Sequence, residues 1–357
     1  MDEISNLSHN NYNVISTFSG CGGSSLGYKM AGYKVLWANE FIPAAQECYK
    51  VNHPTTFLNT KDIRDISPDE ILKEINHQEI DIFDGSPPCA SFSMAGKREK
   101  LWGREKKYSD TTQRVDDLFF EYVRLIKGIQ PKVFVAENVA GLTMGVAKNI
   151  LGSNQFDMFN DQKNTIIFKL EECGYKVDYI VLNAKYFGVP QSRKRLFIVG
   201  VRSDLKVSPT FPKRTTDSFV TVGAAFESCN LINKIDENYK TLSIEQSRVY
   251  DLQLPGESMM ACGERLGQNI NGIGRIKLDI NKPSPTVMTS PELWHPKEKR
   301  SLSIGELKSI CSFPCDFNLT GSFNRKWERL GRSVPPLMMK AIAETIQKEI
   351  LNKLEDK

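Results

Sequence analysis

The first two hundred residues alternate short β-branched runs with helix-like segments, and few folds accept that order. NVISTF (13–18) reads as a strand and SSLGYKMAGY as the start of a helix. YKVLWANE (33–40) is a second strand, followed by PAAQECYKVN, a helix opened by proline. TTFLN is a short strand. SPDEILKEIN has a Ser cap, an early proline, acidic residues in its first turn and apolar residues three to four apart, which predicts a helix. IDIFDG (80–85), KVFVAEN (132–138), YKVDYIVLNA (175–184) and RLFIVGV (195–201) read as further strands. An amphipathic helix is predicted over 114–129 and another around 161–173. The implied class is α/β: a mostly parallel sheet with helices on both faces.

The pattern changes near Ser203. From there to about Pro296 the sequence is turn-rich, with KRTTDS, QLPGES, GERLGQNINGIGR and NKPSPT, which predicts a smaller domain with few regular elements. Regularity returns at SIGELKSI (303–310). VPPLMMKAIAETIQKEIL then places Val334, Leu337, Met338, Ala341, Ile342, Thr345 and Ile346 on one helical face, which is expected to pack back on the first domain. No internal repeat is present.

Composition excludes several classes. No stretch is long and apolar enough to cross a bilayer, and MDEISNLSHNNYN lacks the order of a signal peptide, so the expected location is cytoplasmic. The eight cysteines are scattered, which argues against a disulfide framework. Cys311 and Cys315 are the only close pair, and two ligands do not make a structural zinc site; no metal is expected. A net charge of +4 permits a polyanionic partner without requiring one.

Five short motifs carry chemistry. FSGCGGSSLG (18–27) is a Gly-rich turn between strand and helix, suited to close approach of a ligand. Glu40 ends the second strand, where an acidic residue binds ribose hydroxyls in such folds. SPPC stiffens the chain before Cys89 just after the strand IDIFDG; a thiol at that edge is well placed to act as a nucleophile. AENV puts Glu137 and Asn138 at the end of another strand, where a partly desolvated carboxyl donates protons near neutral pH. In QSRKRLF, Arg193 and Arg195 stand two apart as a strand begins, and so are expected on one face. GRSVPP (331–336) precedes the last helix. Taken singly each has an ordinary structural explanation: a buried cysteine, a tight turn, a solvated strand start. The Lys- and Arg-rich loop Ala90–Gln113 is too long for a mere connection and reads as a lid.

The serial order of Gly-rich turn, acidic strand end, PPC, ENV, QxRxR, irregular region and GxSVPP resembles the cytosine-5 DNA methyltransferase family of bacterial and phage modification enzymes, from about residue 13 to 350. The resemblance implies the Rossmann-like methyltransferase sheet in a catalytic domain, 1–204 completed by 330–357, and a target-recognition domain, 205–329. It implies methyl transfer from S-adenosyl-L-methionine to C5 of a flipped-out cytosine in a specific duplex sequence. Cys89 matches the nucleophile that adds to C6, and Glu137 the carboxyl that bonds the exocyclic amine and N3. Arg195 matches the contact to O2, Arg193 a supporting or phosphate-binding position, and Asn138 a residue ordering the active-site turn.

Cofactor contacts are implied at Phe18, Ser19, Gly20, Cys21, Gly22, Gly23, Glu40, Phe41, Asp62, Ile63, Pro87, Leu118, Arg332 and Ser333. Asp62 would meet the adenine amine and Phe41 cover the ring. DNA contacts are implied at Ser93, Lys97, Arg98, Gln191 and Thr286. The implied partners are duplex DNA and a cognate restriction endonuclease, with the enzyme a monomer. The chain departs from the family pattern at STFSG, at Ala90 and at Arg332, which stands where Asn is usual. Three rivals stay open on sequence alone: a tRNA cytosine methyltransferase of the same family, a nicotinamide-dependent oxidoreductase and an inactive DNA-binding module. The length of 205–280 favours DNA over tRNA, and PPC, ENV and QxRxR are unexplained by the oxidoreductase.

Overall fold

The computed structural model describes residues 1, 9–88, 106–108, 111–113, 117–143, 166–229, 238–270 and 274–355. Cys89, Ser93, Lys97 and Arg98 lie outside them. The chain divides into two compact units. One comprises Asp2–Leu182, Lys194–Lys213 and Met339–Lys357; the other comprises Asn183–Arg193 and Arg214–Met338, together with Met1.

The first unit is built on a seven-stranded sheet. Its strands are β1 (Asn13–Thr17), β2 (Lys34–Asn39), β3 (Phe57–Asn59), β4 (Ile82–Gly85), β7 (Val133–Val139), β8 (Tyr175–Asn183) and β9 (Lys194–Arg202). The antiparallel pair β5 (Lys106–Tyr108) and β6 (Thr111–Gln113) stands apart from it, inside the segment read from sequence as a lid loop. The sheet order is β3-β2-β1-β4-β7-β9-β8. β1, β2, β3, β4 and β7 pair in parallel, and β9 runs antiparallel to β7. Parallel pairing requires crossovers, and the helices α1 (Gly23–Met30), α2 (Pro43–Asn52), α3 (Pro68–Glu74) and α4 (Leu118–Ile129) follow β1, β2, β3 and β4. The expected α/β class is therefore observed.

The central strands β1, β4 and β7 are buried along nearly their whole length because both faces are covered. Ile15, Phe83, Phe134 and Ile198 pack with Leu118, Phe119, Tyr122, Leu125, Ile126 and Ile129 of α4 in the main core. Those α4 residues recur every three or four positions, which turns one stripe of the helix to the sheet. After α5 (Ile166–Glu172), β8 and β9 complete the sheet. At the far end of the chain, Tyr33 donates its hydroxyl to the carbonyl of Ala343 at 2.9 Å, so the last helical segment packs on this unit.

The second unit is more helical than its sequence suggests. α6 (Val222–Ser228), α7 (Ile244–Leu252) and α8 (Met259–Leu266) occupy the stretch expected to hold few regular elements. Each is short and is started by a side-chain cap: Thr221, Ser243 and Ser258 accept from the backbone N–H three residues on. Their apolar pattern misleads because Ile244, Leu252 and Met260 are exposed. The strands β10 (Ile276–Lys277) and β11 (Leu293–Trp294) have two residues each. α9 (Ile304–Ile310), α10 (Phe323–Arg332) and the start of α11 (Pro336–Ile346) complete the unit.

Cys315 is bonded to Cys229, 86 residues earlier, rather than lying free beside Cys311. The expectation of no disulfide framework therefore has this one bridge as an exception among the described residues. The two Cα atoms are 6.0 Å apart, a proximity that scattered spacing cannot reveal.

Candidate active site

In open α/β sheets, ligands collect beyond the carboxyl ends of the strands. Five of those ends carry the residues singled out from the sequence. After β1 the chain turns through Phe18 (φ +52°), Gly20 (φ +57°) and Gly22 (φ +95°) into α1. The turn is fastened by Ser19, whose hydroxyl lies within bonding distance of the carbonyls of Ser16 and Asn39. Gly22 is required twice over. Its φ is left-handed, and a Cβ there would meet the His53 ring at 2.1 Å. A Cβ on Gly20, by contrast, would have nothing within 4 Å. The turn thus leaves open space over Gly20, while Cys21 and Gly23 are buried.

Glu40, just past β2, is largely buried, and its carboxylate accepts from the N–H of Gly20 at 2.7 Å and of Ile42 at 2.6 Å. Those bonds aim the carboxylate at the Gly-rich turn, as a ribose-binding acid requires. Phe41 is half-buried beside it, and its carbonyl accepts from Gln46. Past β3, Asp62 caps a short 3-10 turn that contains the buried Ile63. The Asp62 carboxylate also accepts from the Arg64 guanidinium at 2.8 Å. Arg64 in turn forks onto Asp117, through Nε at 3.2 Å and Nη2 at 2.7 Å, at the residue before Leu118 and α4. Arg124 of α4 donates to the carbonyls of Ile63 and Ile66. Two arginines therefore hold together the three residues expected around adenine: Asp62, Ile63 and Leu118. Sequence reading passed over Arg64, Asp117 and Arg124, because nothing local marks an arginine that acts through backbone carbonyls and a carboxylate 53 positions away.

β4 delivers the SPP turn and β7 delivers Glu137 and Asn138. Asn138 is buried and donates to the carbonyl of Pro87 at 3.1 Å, so the two strand ends are tied side by side. Glu137, also buried, pairs with Arg195 of β9 at 3.0 Å. Burial pulls the Arg195 guanidinium below its ordinary value, and the Glu137 charge opposes that. The other face of the β4 end is packed tightly. A Cβ on Gly85 would meet Thr17 and the Tyr122 ring at 2.5 Å, and Tyr122 donates to the carbonyls of Phe83 and Val135.

The remaining expected residues belong to the second unit and are engaged within it. Arg193 precedes β9, is buried, and donates to the carbonyls of Val287 at 3.1 Å and Gly331 at 2.9 Å. It therefore does not share a face or a partner with Arg195, which corrects the alternation reading: residue 193 lies outside the strand, where period-two logic does not apply. Gln191 has no exposed surface, and its amide is used between the N–H of Val287 and the sulfur of Cys311. Thr286 donates to the carbonyl of Ser192 at 2.8 Å. These bonds stitch the QSRKR segment to 284–287, and the DNA contacts expected of Gln191 and Thr286 compete with them. Arg332 ends α10 paired with Glu328 at 2.9 Å, and the Ser333 hydroxyl donates to the carbonyl of Arg329.

The family profile of C-5 cytosine-specific DNA methylases matches residues 12–348. The chain belongs to the C-5 cytosine-specific DNA methylase family. It is 33% identical over 344 residues to the Type II methyltransferase M1.HphI of Haemophilus parahaemolyticus, covering 94% of this chain and 86% of that one. It is 31% identical over 363 residues to M.FnuDI of Fusobacterium nucleatum, covering 95% of each. Among solved structures, a prophage-encoded DNA modification methyltransferase of E. coli superposes with a TM-score of 0.72 at 22% identity, over 97% of this chain and all of that one. DNMT2 of Spodoptera frugiperda gives 0.61 at 18%, over 97% and 100%. The chain is accordingly a DNA cytosine-5 methyltransferase with S-adenosyl-L-methionine as its cofactor. The residues fit that group: the space over Gly20 and the aimed Glu40 carboxylate suit a ribosyl ligand.

Proposed function

We propose that the enzyme methylates a cytosine flipped out of a specific duplex sequence, through a covalent bond between Cys89 and C6 of the base. One observation carries this reading: the Glu137–Arg195 pair lies one strand over from the end of β4, tied through Asn138 to Pro87. A base entering there would meet a carboxyl for its amine and N3, and a guanidinium for O2. Cys89 would follow two residues after Pro87.

The Cys89 thiolate attacks C6, and Glu137 places a proton on N3 so that charge does not accumulate on the ring. Arg195 holds Glu137 and meets O2. S-adenosyl-L-methionine supplies an electrophilic methyl group to C5. Methyl transfer releases S-adenosylhomocysteine, N3 returns its proton to Glu137, and loss of the C5 proton to solvent with departure of the thiolate then restores the aromatic base. Phe18, Gly20, Glu40, Phe41, Asp62 and Leu118 hold the cofactor.

Target recognition is assigned to 205–329, with catalysis in 1–204 and 330–357. Base edges would be read there in the major groove, while phosphate contacts from the basic loop, at Ser93, Lys97 and Arg98, supply affinity. The Type II names of the relatives support a restriction–modification setting; the proposed enzyme acts on DNA as a cytoplasmic monomer beside a companion endonuclease. Among the described residues no helix is long and apolar enough to cross a membrane. The test is transfer of labelled methyl into duplex DNA and into tRNA: label in DNA is expected, and label confined to tRNA overturns the reading.

A further inference from the structure

Asp84 is a buried acid that none of the roles above employs. It stands in β4 opposite Ser16 of β1 and Val135 of β7. Residues paired across a sheet share a face, and alternate residues of a strand share it too. Ser16, Asp84, Glu137 and Arg195 therefore form a row on one face of the sheet, running across its carboxyl edge. Asp84 is 1% exposed. Its two oxygens meet the hydroxyls of Tyr28, from α1, and Ser16, each at 3.2 Å. Hydroxyl bonds to an ionised carboxylate run about 2.5–2.7 Å, so these distances suit a neutral acid. Among the described residues no cation pairs with Asp84, whereas Glu137 has Arg195 and Asp81, just before the same strand, has Lys132.

We propose that Asp84 is a positioning residue of the methyl-transfer site that works as an uncharged carboxylic acid, anchoring the end of β4 while leaving the Glu137–Arg195 pair electrically balanced. The proposal rests on the function given above. With Asp84 neutral, the row holds one negative and one positive group. Ionised, it would add a buried anion beside that pair, on the face where the cytosine ring gains electron density.

The groups facing Asp84 give it no reason to ionise early. They are Tyr28 of α1, Tyr49 of α2 and Glu137 of β7, with Tyr122 of α4 behind the sheet on its other face. Burial, with the Glu137 charge adding to it, pushes the Asp84 carboxyl up to about 8 against the pull of the Tyr28 and Ser16 hydroxyls. The folded protein thus binds a proton at Asp84 that the unfolded chain releases near pH 4. The contribution of Asp84 to stability falls as pH rises from there to about 8, and is level above.

The test is Asp84→Asn, which keeps the shape and removes the charge, measured by thermal midpoint and by methyl transfer into DNA from pH 6 to 9.5. The wild-type midpoint should decline toward pH 8 with a one-proton dependence that the variant lacks. Wild-type turnover should drop about tenfold at one pH unit above the inflection, while the variant carries its neutral-pH rate through. Tyr28→Phe, which removes a hydroxyl that favours the ionised form, should move the wild-type inflection to higher pH. Superimposable profiles for wild type and Asp84→Asn in both measurements overturn the proposal. So does loss of neutral-pH turnover in a folded Asp84→Asn protein, since that means the ionised form is the working one. If wild type does not methylate DNA, the functional reading fails, and the stability titration still decides the state of Asp84.

Discussion

The two units hold their polar residues by different means. In the sheet unit, backbone register does the positioning: Glu40, Asp84 and Glu137 stand in or just past parallel strands, and hydrogen bonding between strands sets their spacing. In the second unit the strands are two residues long, and buried side chains act where a ladder is lacking. Arg193 reaches carbonyls 94 and 138 positions away, and Arg300 grips Glu306 with two bonds of 2.8 Å. The strand-end acids of the first unit are therefore positioned by backbone, while many polar side chains of the second are themselves the fastenings.

Substitutions can break that contrast. The largest expected effect is at Glu137→Gln, which keeps the fold but removes the acid; methyl transfer should fall by about 10²–10⁴. A rate within threefold of wild type would place the proton relay elsewhere. Arg193→Ala should act on stability instead. It strips charged donors from two buried carbonyls, so unfolding in urea should show a loss of about 3 kcal/mol. Slow turnover with unchanged unfolding would mean that Arg193 is catalytic after all.

The fold of the first unit was legible because parallel strands buried on both faces are continuous apolar runs, and the helices between them carry Pro, Ser and acidic signals at their starts. Glu40 and Glu137 were legible because an acid ending an apolar run is conspicuous. Asp84 was not, since it lies within the run IDIFDG and its burial depends on α1 and β1. α6, α7 and α8 were hidden by exposed apolar residues that blur a short period. The partners of Arg193 and the Cys229–Cys315 bridge depend on contacts across scores of residues, which no local pattern encodes.

Smaller effects sharpen the comparison. Arg64→Ala should weaken S-adenosylhomocysteine binding about tenfold by calorimetry, with kcat nearly unchanged, because Asp62 and Asp117 lose the group that aligns them. An unchanged affinity would show that the carboxylates hold their places unaided. Arg332→Ala should do least. Its pair with Glu328 is a partly exposed helical one, contributing about 0.3–0.5 kcal/mol, and cofactor affinity should stay within about twofold. A tenfold loss of affinity would instead establish Arg332 as a cofactor contact, the role its sequence position suggested.

The central claim is that the turn after β4 carries a nucleophile served by Glu137 and Arg195. It is tested most directly by incubating the enzyme and cofactor with a duplex containing 5-fluorocytosine at the methylated position, then looking for a denaturation-resistant complex and mapping it by mass spectrometry. Fluorine at C5 cannot leave as a proton, so the enzyme should be trapped through Cys89, and Cys89→Ser should give no such complex. Methylation of ordinary DNA by the Ser variant at near-normal rate, or an adduct on another residue, would contradict it.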